Sequence, residues 1–519
     1  MLTQIEKWDF YELALQVQTS GNPFLEVSLA ADFKLQERTI HVTGFYDGED
    51  VYKIRFMPDQ EGTWSYTTHS NLPALDGQKG EVVCIAATGN NHGPVRVADN
   101  THFAYEDGTR YLPVGTTCYV WNLQGDELEE RTLKTLDGAP FNKMRMCVFP
   151  KRYTYNRNEP PSYPFAGELT RPWQPANLDD YRNPQPPDGW DFSRFNPAYF
   201  RHLEQRILDL RARGIEADLI VFHPYDFGAW GFDRLPPEVN DRYLKYLVAR
   251  LSAFRNLWWS FANEYDLFQN RTTEDWDHYF QVVQALDPYN HLRSIHNCRP
   301  FYDHSKPWVT HCSVQHGSLN QVGIWLAKYN KPVVVDECGY EGDIHLMWGD
   351  LAPDELVLRF WIGFTLGGYV GHGETYMNAE DVLWWSKGGE LTGESVARIA
   401  FLRQVFEQAP QLSPVMRMDT TLAPLADEAS KKRSESFKAL MEGSITMEAG
   451  GFHDQDYFLF YYGVHQPRLR KFNLPEGNYQ IDLIDTWNMT IETWAESASG
   501  HIGVTLPGKK YMAVRIRRG

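Results

Sequence analysis

A chain of 519 residues is too long for one ordinary core, and 42% hydrophobic with 23% charged residues describes a folded, multi-domain protein and excludes a disordered one. The 50 basic and 68 acidic side chains leave a net charge of -18, which argues against nucleic acid or an anionic membrane surface as partner, because phosphates need a basic footprint. No apolar run approaches the length that crosses a bilayer. The opening Met1-Leu2-Thr3-Gln4-Ile5-Glu6-Lys7-Trp8-Asp9 has neither a basic n-region nor an apolar h-region, so it does not read as a signal peptide, and a cytoplasmic location is expected. The six cysteines (Cys84, Cys118, Cys147, Cys298, Cys312, Cys338) are widely spaced without a CxxC pair, which suits reduced, buried thiols. Aromatic residues reach 14%, with 17 Trp, a composition that fits sugar-stacking surfaces and large aromatic cores equally well.

Residues 1–95 alternate in short runs such as Phe24–Leu29 and Val51–Phe56, broken by turn clusters at Tyr46-Asp47-Gly48 and Asp59-Gln60-Glu61-Gly62. That pattern predicts an N-terminal β-sandwich. The breaker-rich Gly89-Asn90-Asn91-His92-Gly93-Pro94 marks its end.

Over 96–408 the pattern becomes alternating β and α. Phe200, Leu203, Ile207 and Leu210 share one face of a helix over 198–213, with Asn196-Pro197 before it and Gly214 after it. Further helices are predicted at 239–254, on Tyr243, Leu247, Leu251 and Phe254, and at 319–329, on Val322, Trp325, Leu326 and Tyr329. Eight strand candidates accompany them: Arg110–Thr116, Lys143–Phe149, Ala217–Phe222, Leu257–Ala262, Leu292–His296, Ser313–His316, Val333–Glu337 and Tyr369–His372. Eight strands alternating with helices make a (β/α)8 barrel, and continuously apolar runs such as Leu219–Phe222 suit strands covered on both faces. A long Pro-rich insert, 151–196, follows the second strand and holds Pro160, Pro161, Pro164, Pro172, Pro175, Pro184, Pro186 and Pro187. As a βα loop it belongs to the catalytic face, where it would wall or cover a substrate. Residues 409–519 return to strand-like runs, among them Asp456–Tyr462, Tyr479–Asp485 and Tyr511–Ile516, and predict a C-terminal β-sandwich.

Catalytic groups of such a barrel gather at the carboxyl ends of its strands. Read in order, those ends offer Trp121, Arg145, His223, Asn263 with Glu264, His296, His316, Glu337, and His372 with Glu374. Glu264 closes Ser260-Phe261-Ala262-Asn263-Glu264 and Glu337 closes Val333-Val334-Val335-Asp336-Glu337. Two opposed carboxylates are the usual equipment for cleaving a glycosidic bond, and a retaining enzyme needs them about 5–5.5 Å apart. The expected partner is therefore a carbohydrate, with no cofactor. Two rivals remain on the residues alone. One is a metal-dependent hydrolase ligated by some of His223, Asp226, His296, His316, His372 and Glu374, which no HxH or HxxxH pair supports. The other is a catalytically inactive carbohydrate-binding barrel, against which the two glutamates stand.

These residues resemble the clan A glycoside hydrolases, a (β/α)8 superfamily marked by Asn-Glu at the end of strand four and Glu at the end of strand seven. The resemblance covers the barrel, and Val221-Phe222-His223-Pro224 at the end of strand three is also similar to the clan. It implies Glu264 as general acid/base and Glu337 as nucleophile, with net retention of configuration. It further implies Arg145 beside Glu337, His316 orienting the nucleophile, and Asn263 on the sugar 2-hydroxyl. His223 ranks beside Arg145 and His316 as a substrate-site residue, and Trp121, His296, His372, Glu374 and Trp384 are looser candidates for sugar contacts. The clan usually carries a Trp at strand eight. Here the run Gly367–Glu374 lacks it, leaving Trp384 or Trp385 as stacking platform and His372 with Glu374 as groups that suit a less usual sugar; the sequence leaves furanose and pyranose both open. Arg55–Trp64 resembles a domain of unknown function that precedes such barrels in bacterial glycosidases, and the tail resembles another uncharacterised accessory domain. The two β-domains are open to three roles: binding sugar, bracing the barrel, or building a homo-oligomer. A cytoplasmic glycosidase meets short imported oligosaccharides, so exo action is the expected mode.

Overall fold

The computed structural model describes residues 3–168, 189–226, 229–380, 382–415 and 448–519. The chain divides into two compact units, Met1–Asp99 with Phe103–Gln315 and Met377–Glu390, and Asn100–His102 with His316–Tyr376 and Leu391–Gly519.

One eight-stranded parallel sheet occupies the middle of the sequence as a nearly closed barrel. Its strands are, in sequence, Gly115–Thr117, Lys143–Cys147, Glu216–Phe222, Leu257–Ala262, Leu292–Ser294, Cys312–Gln315, Val333–Glu337 and Tyr369–His372, and their spatial order is 5-4-3-2-1-8-7-6. The first differs most from the expected Arg110–Thr116. Pro113 has no N–H for a ladder, and the stretch splits around it. Arg110–Tyr111 folds back on Phe103–Ala104, and only Gly115–Thr117 enters the barrel, beside Lys143–Arg145. Inside the barrel Lys143 and Asp218, each 1% exposed, form an ion pair at 2.5 Å.

Helices follow their sequence signals closely. Pro197–Ala212 is capped by Asn196, whose side chain accepts from the Ala198 N–H at 3.2 Å. Gly214 then turns the chain at φ +70°, a backbone that an L side chain would strain. Thr273–Leu286 starts on a capping box between Thr272 and Asp275.

The N-terminal strands form a five-stranded sheet and a three-stranded sheet whose inner faces meet. Phe33 of the first stacks on Phe56 of the second at 3.9 Å between ring centroids, over a core that includes Trp64 and Ile54. A buried charge network ties this sandwich to two barrel helices of the same unit. Arg55 donates to Glu204 at 2.8 Å and to the Arg250 carbonyl at 2.7 Å, while Arg250 donates to Glu204 at 2.5 Å and to Asp47 at 2.8 Å. Charges this deeply enclosed survive only when each is paired, so the sandwich is fixed to the barrel wall.

In the second unit, a six-stranded C-terminal sheet covers the pair Leu469–Asn473 and His501–Thr505. Phe472 and Val504 of that pair pack with Tyr479, Ile481, Val514 and Ile516. Of the insert 151–196, residues 169–188 lie outside the described residues, and with them Pro172, Pro175, Pro184, Pro186 and Pro187. Its flanks Phe165–Gly167 and Trp190–Phe195 pair antiparallel as a short hairpin separate from the barrel sheet.

One buried acid at the start of barrel strand three makes the fold pH-sensitive. Burial pushes Glu216 from 4.5 up to about 8, against the opposing donation from Trp258 Nε1 at 3.1 Å. An acid whose folded pKa is raised stabilises the fold below its unfolded pKa, and that stability is lost as pH rises through the folded value. The expected result is that Glu216→Gln, which keeps an acceptor for Trp258, melts several degrees above wild type near pH 9 and alongside it near pH 4.5. The difference corresponds to on the order of 2–4 kcal/mol at about 1.4 kcal/mol per pKa unit. Equal melting temperatures at both pH values would rule out the buried, protonated carboxyl.

Candidate active site

In the first unit, Glu264 stands immediately past barrel strand four in a left-handed backbone, φ +50° and ψ 58°, and opens the 3-10 turn Tyr265–Leu267. A glutamate pays conformational strain there, so its surroundings must hold it. They do so by three backbone-directed bonds. The Tyr265 N–H donates to the His296 carbonyl at 2.9 Å, and Asp266 accepts from the Cys298 and Arg299 N–H groups at 2.6 and 3.0 Å. The turn after strand four is thereby stitched to the segment after strand five.

Asn263 fixes the Glu264 side chain. Its Nδ2 donates to Glu264 Oε2 at 3.3 Å, and its Oδ1 accepts from the Tyr119 hydroxyl at 3.1 Å. Both ends of the amide are used, which sets its orientation. Glu264 is 7% exposed, and the Cys298 thiol beside it is pushed up to about 12 by burial and by the Glu264 charge.

Tyr119 begins an aromatic enclosure around Lys151. The Lys151 ammonium lies 3.4 Å from the Tyr119 ring centroid, 4.2 Å from Tyr225, 4.7 Å from Tyr153 and 5.5 Å from Trp385. Such faces attract a cation through the ring quadrupole. Trp385 meets Tyr119 edge to face at 5.2 Å, and its carbonyl accepts the Tyr119 N–H at 3.0 Å. Trp384 points elsewhere, with Nε1 donating to Thr116 Oγ1 at 2.8 Å. Of the two candidate tryptophans, the one in this cluster is Trp385.

Arg145, 1% exposed on barrel strand two, places its guanidinium 6.0 Å from the Tyr119 ring. His223, at the end of strand three, uses both ring nitrogens on backbone, Nε2 toward the Phe149 carbonyl at 3.2 Å and Nδ1 accepting from the Tyr225 N–H at 3.2 Å. Burial, with Lys151 and Arg271 nearby, lowers it to about 3, so it is neutral with its proton on Nε2. Trp121 is fully buried in the turn after strand one, and His296 is fully buried after strand five.

In the second unit, Glu337 ends barrel strand seven and is 8% exposed. Its carbonyl accepts the His316 N–H at 3.0 Å. His316 Nδ1 accepts from the Ser318 N–H at 3.0 Å, its ring meets Trp325 edge to face, and burial lowers its pKa. His372 ends strand eight fully enclosed, and burial takes it down to about 3. Glu374 is engaged throughout: Oε1 accepts from the Thr392 N–H and hydroxyl at 2.7 and 2.8 Å, and Oε2 from the Gly393 N–H at 2.8 Å. Its neighbour Glu341 does likewise for the Glu394 and Ser395 N–H groups at 2.7 and 3.1 Å. These two acids brace the entry to the helix Ser395–Glu407.

The first unit thus assembles Glu264, Asn263, Tyr119, Lys151 and Trp385, while the second brings His316 to the Glu337 backbone. Tyr119 and Lys151 escaped the sequence reading. The displaced first strand put Tyr119 out of register, and a Lys two residues beyond the expected strand end carries no periodic signal. Among the described residues, the grouping of acids and histidine that could hold a cation is Asp126, Glu129 and His202. It sits on the helices Asp126–Leu136 and Pro197–Ala212, and Glu129 already accepts from Arg206 at 2.6 Å. No helix among the described residues is long and apolar enough to cross a membrane.

Residues 98–412 match the family described as "Apiosidase-like, catalytic domain". Residues 4–71 and 446–517 match two domains of unknown function, DUF5060 and DUF5605. A crystal structure from Bacteroides vulgatus ATCC 8482, described as that of a candidate glycoside hydrolase, is 38% identical with a TM-score of 0.86 over 100% of both chains. A structure described as a glycoside hydrolase is similar at 13% identity and a TM-score of 0.58 over 83% of this chain and 98% of its own. A glycoside hydrolase family 5 structure from the same Bacteroides is similar at 12% and 0.57, over 82% and 94%. No curated protein matches the chain.

Proposed function

We propose, from the premise that this chain belongs to the apiosidase-like catalytic-domain family and is a glycoside hydrolase, that it removes a single terminal sugar of the apiofuranosyl type from short glycosides, with net retention. The observation that carries this reading is the setting of Glu264, a strained carboxylate at the end of a barrel strand whose side chain is held by Asn263 and Tyr119. In the reaction Glu264 is the general acid. It gives its proton to the leaving oxygen and later takes one from water. Glu337 is the nucleophile and forms a covalent glycosyl-enzyme, which water then releases. Asn263 holds the hydroxyl next to the anomeric carbon, a contact that tightens as the oxocarbenium character grows. Arg145 and His316 align Glu337, and Trp385 supplies the stacking platform for the sugar. A furanose preference is supported by the family description and by the absence of Trp from the strand-eight run Gly367–Glu374. Six widely spaced cysteines without a CxxC pair suit a reducing compartment and a cytoplasmic role.

Proton NMR of the first-formed product tests the mechanism. Retention at the anomeric carbon is expected, and an inverted first product would remove Glu337 from the nucleophile's role. A second expected result concerns Asn263. Its replacement by Ala is expected to lower kcat/KM by about 100-fold, because the contact strengthens in the transition state. Substrates lacking the adjacent hydroxyl are expected to lose far less. If both substrate types suffer equally, Asn263 acts only by holding Glu264.

A further inference from the structure

Beyond barrel strand seven the chain makes a long loop before the helix Pro353–Thr365. Its backbone is clamped. The Tyr340 N–H donates to the Trp348 carbonyl at 2.6 Å, the Leu351 N–H to the Tyr340 carbonyl at 3.1 Å, and the Gly349 N–H to the Leu346 carbonyl at 2.8 Å. Thr375 Oγ1 also donates to the Gly349 carbonyl at 2.7 Å. A Cβ on Gly349 would stand 2.4 Å from Ile344 Cδ1, so the packing leaves this shape little room to change. On this fixed frame Met347 is 85% exposed and Trp348 36% exposed, with the indole standing edge to face on the buried Tyr340 at 6.1 Å. Single exposed apolar residues need no explanation. Two large ones side by side, on a loop held rigid and continuous with the strand that carries Glu337, make a preformed apolar surface.

We propose that Met347 and Trp348 form the leaving-group platform of the active site, a surface that binds an aryl or similarly flat, apolar aglycone. The inference rests on the glycosidase reading given above and adds to it the class of leaving group. Residues at the strand ends meet the reacting ring, whereas residues far out on the loops meet what lies beyond it. For an exo-acting enzyme, only the leaving group lies beyond. An indole face and a pliable thioether favour a flat, polarisable group.

The test compares 4-nitrophenyl and methyl apiofuranoside, which share a sugar and differ in the leaving group. In Trp348→Ala, KM for the nitrophenyl substrate is expected to rise about 5- to 10-fold, while KM for the methyl substrate stays within twofold. Met347→Ala is expected to give a smaller rise of the same kind, and Trp348→Phe to recover most of the loss. An equal change for both substrates, or no change for the nitrophenyl one, overturns the platform. Failure of the parent reading looks different, because Glu264→Gln and Glu337→Gln would then retain wild-type turnover. Should neither glycoside be hydrolysed, calorimetric binding of 4-nitrophenol still decides the matter. Binding that is present in wild type and lost in Trp348→Ala supports the platform; equal or absent binding overturns it.

Discussion

Replacing Glu337 by Gln is expected to lower kcat by about 10,000-fold, or roughly 5.5 kcal/mol at 1.36 kcal/mol per decade of rate. A carboxamide has the volume of a carboxylate but cannot form the ester-like bond to the anomeric carbon. The fold is expected to tolerate the change, because Gln keeps the volume of Glu and the bond from the His316 N–H runs to the Glu337 backbone carbonyl. Melting within about two degrees of wild type would show that chemistry was lost and not structure. The smaller Glu337→Ala variant opens space where the carboxylate stood. Added azide is expected to attack there from the vacated side and yield a glycosyl azide of inverted configuration, in a single displacement. A loss below tenfold in Glu337→Gln, or no azide product from Glu337→Ala, would move the nucleophile elsewhere.

Two histidines at barrel strand ends stay out of neutral-pH titration. His223 and His372 are held near 3 by burial, and so remain neutral at every pH where the fold is used. They act through fixed hydrogen-bonding character, and a kinetic limb between about pH 5 and 9 has to come from other groups. For His223 the proton sits on Nε2 because the Tyr225 N–H occupies Nδ1. That ring is a rigid bracket between the loops after strands two and three.

The strand-end positions of the two glutamates could be read from the sequence because each closes a largely apolar run, and such runs mark buried parallel strands. The helix over 197–212 was equally plain, since its cap, its apolar face and its terminating glycine are all local features. Barrel strand one was less so. Three residues long, it follows Pro113, and neither length nor composition separates it from the hairpin arm Arg110–Tyr111. That ambiguity hid Tyr119, the residue that positions Asn263. Lys151 was hidden for a different reason: its setting comes from rings brought in by segments near residues 119, 153, 225 and 385, and no pattern in one segment announces a cation among them. Glu374, a looser candidate for a sugar contact, shows another such setting: its oxygens accept from Thr392 and Gly393, donors that only the folded chain brings near.

Glu264→Gln is expected to depend on the leaving group in a way that Glu337→Gln does not. Methyl or sugar leaving groups depart as poorly stabilised alkoxides and need a proton as the bond breaks, so the variant is expected to lose about 1,000-fold or more in kcat/KM on them. With 2,4-dinitrophenyl glycosides the departing phenolate needs no proton. The first step then survives within about tenfold of wild type. The second step still suffers, because Glu264 must also take the proton from the attacking water. The glycosyl-enzyme should therefore accumulate, visible as a burst of dinitrophenolate, a lowered KM and a mass increase on the protein. Azide, which needs no general base, is expected to restore turnover with retained configuration, the opposite stereochemistry from the Glu337→Ala rescue. Glutamine can keep an acceptor toward Asn263 Nδ2, so the local bond at 3.3 Å need not be lost. The two azide products, of opposite hand, separate a carboxylate that bonds to carbon from one that handles protons. Identical products from both variants would contradict the division of labour between Glu264 and Glu337, whatever the size of the rate losses.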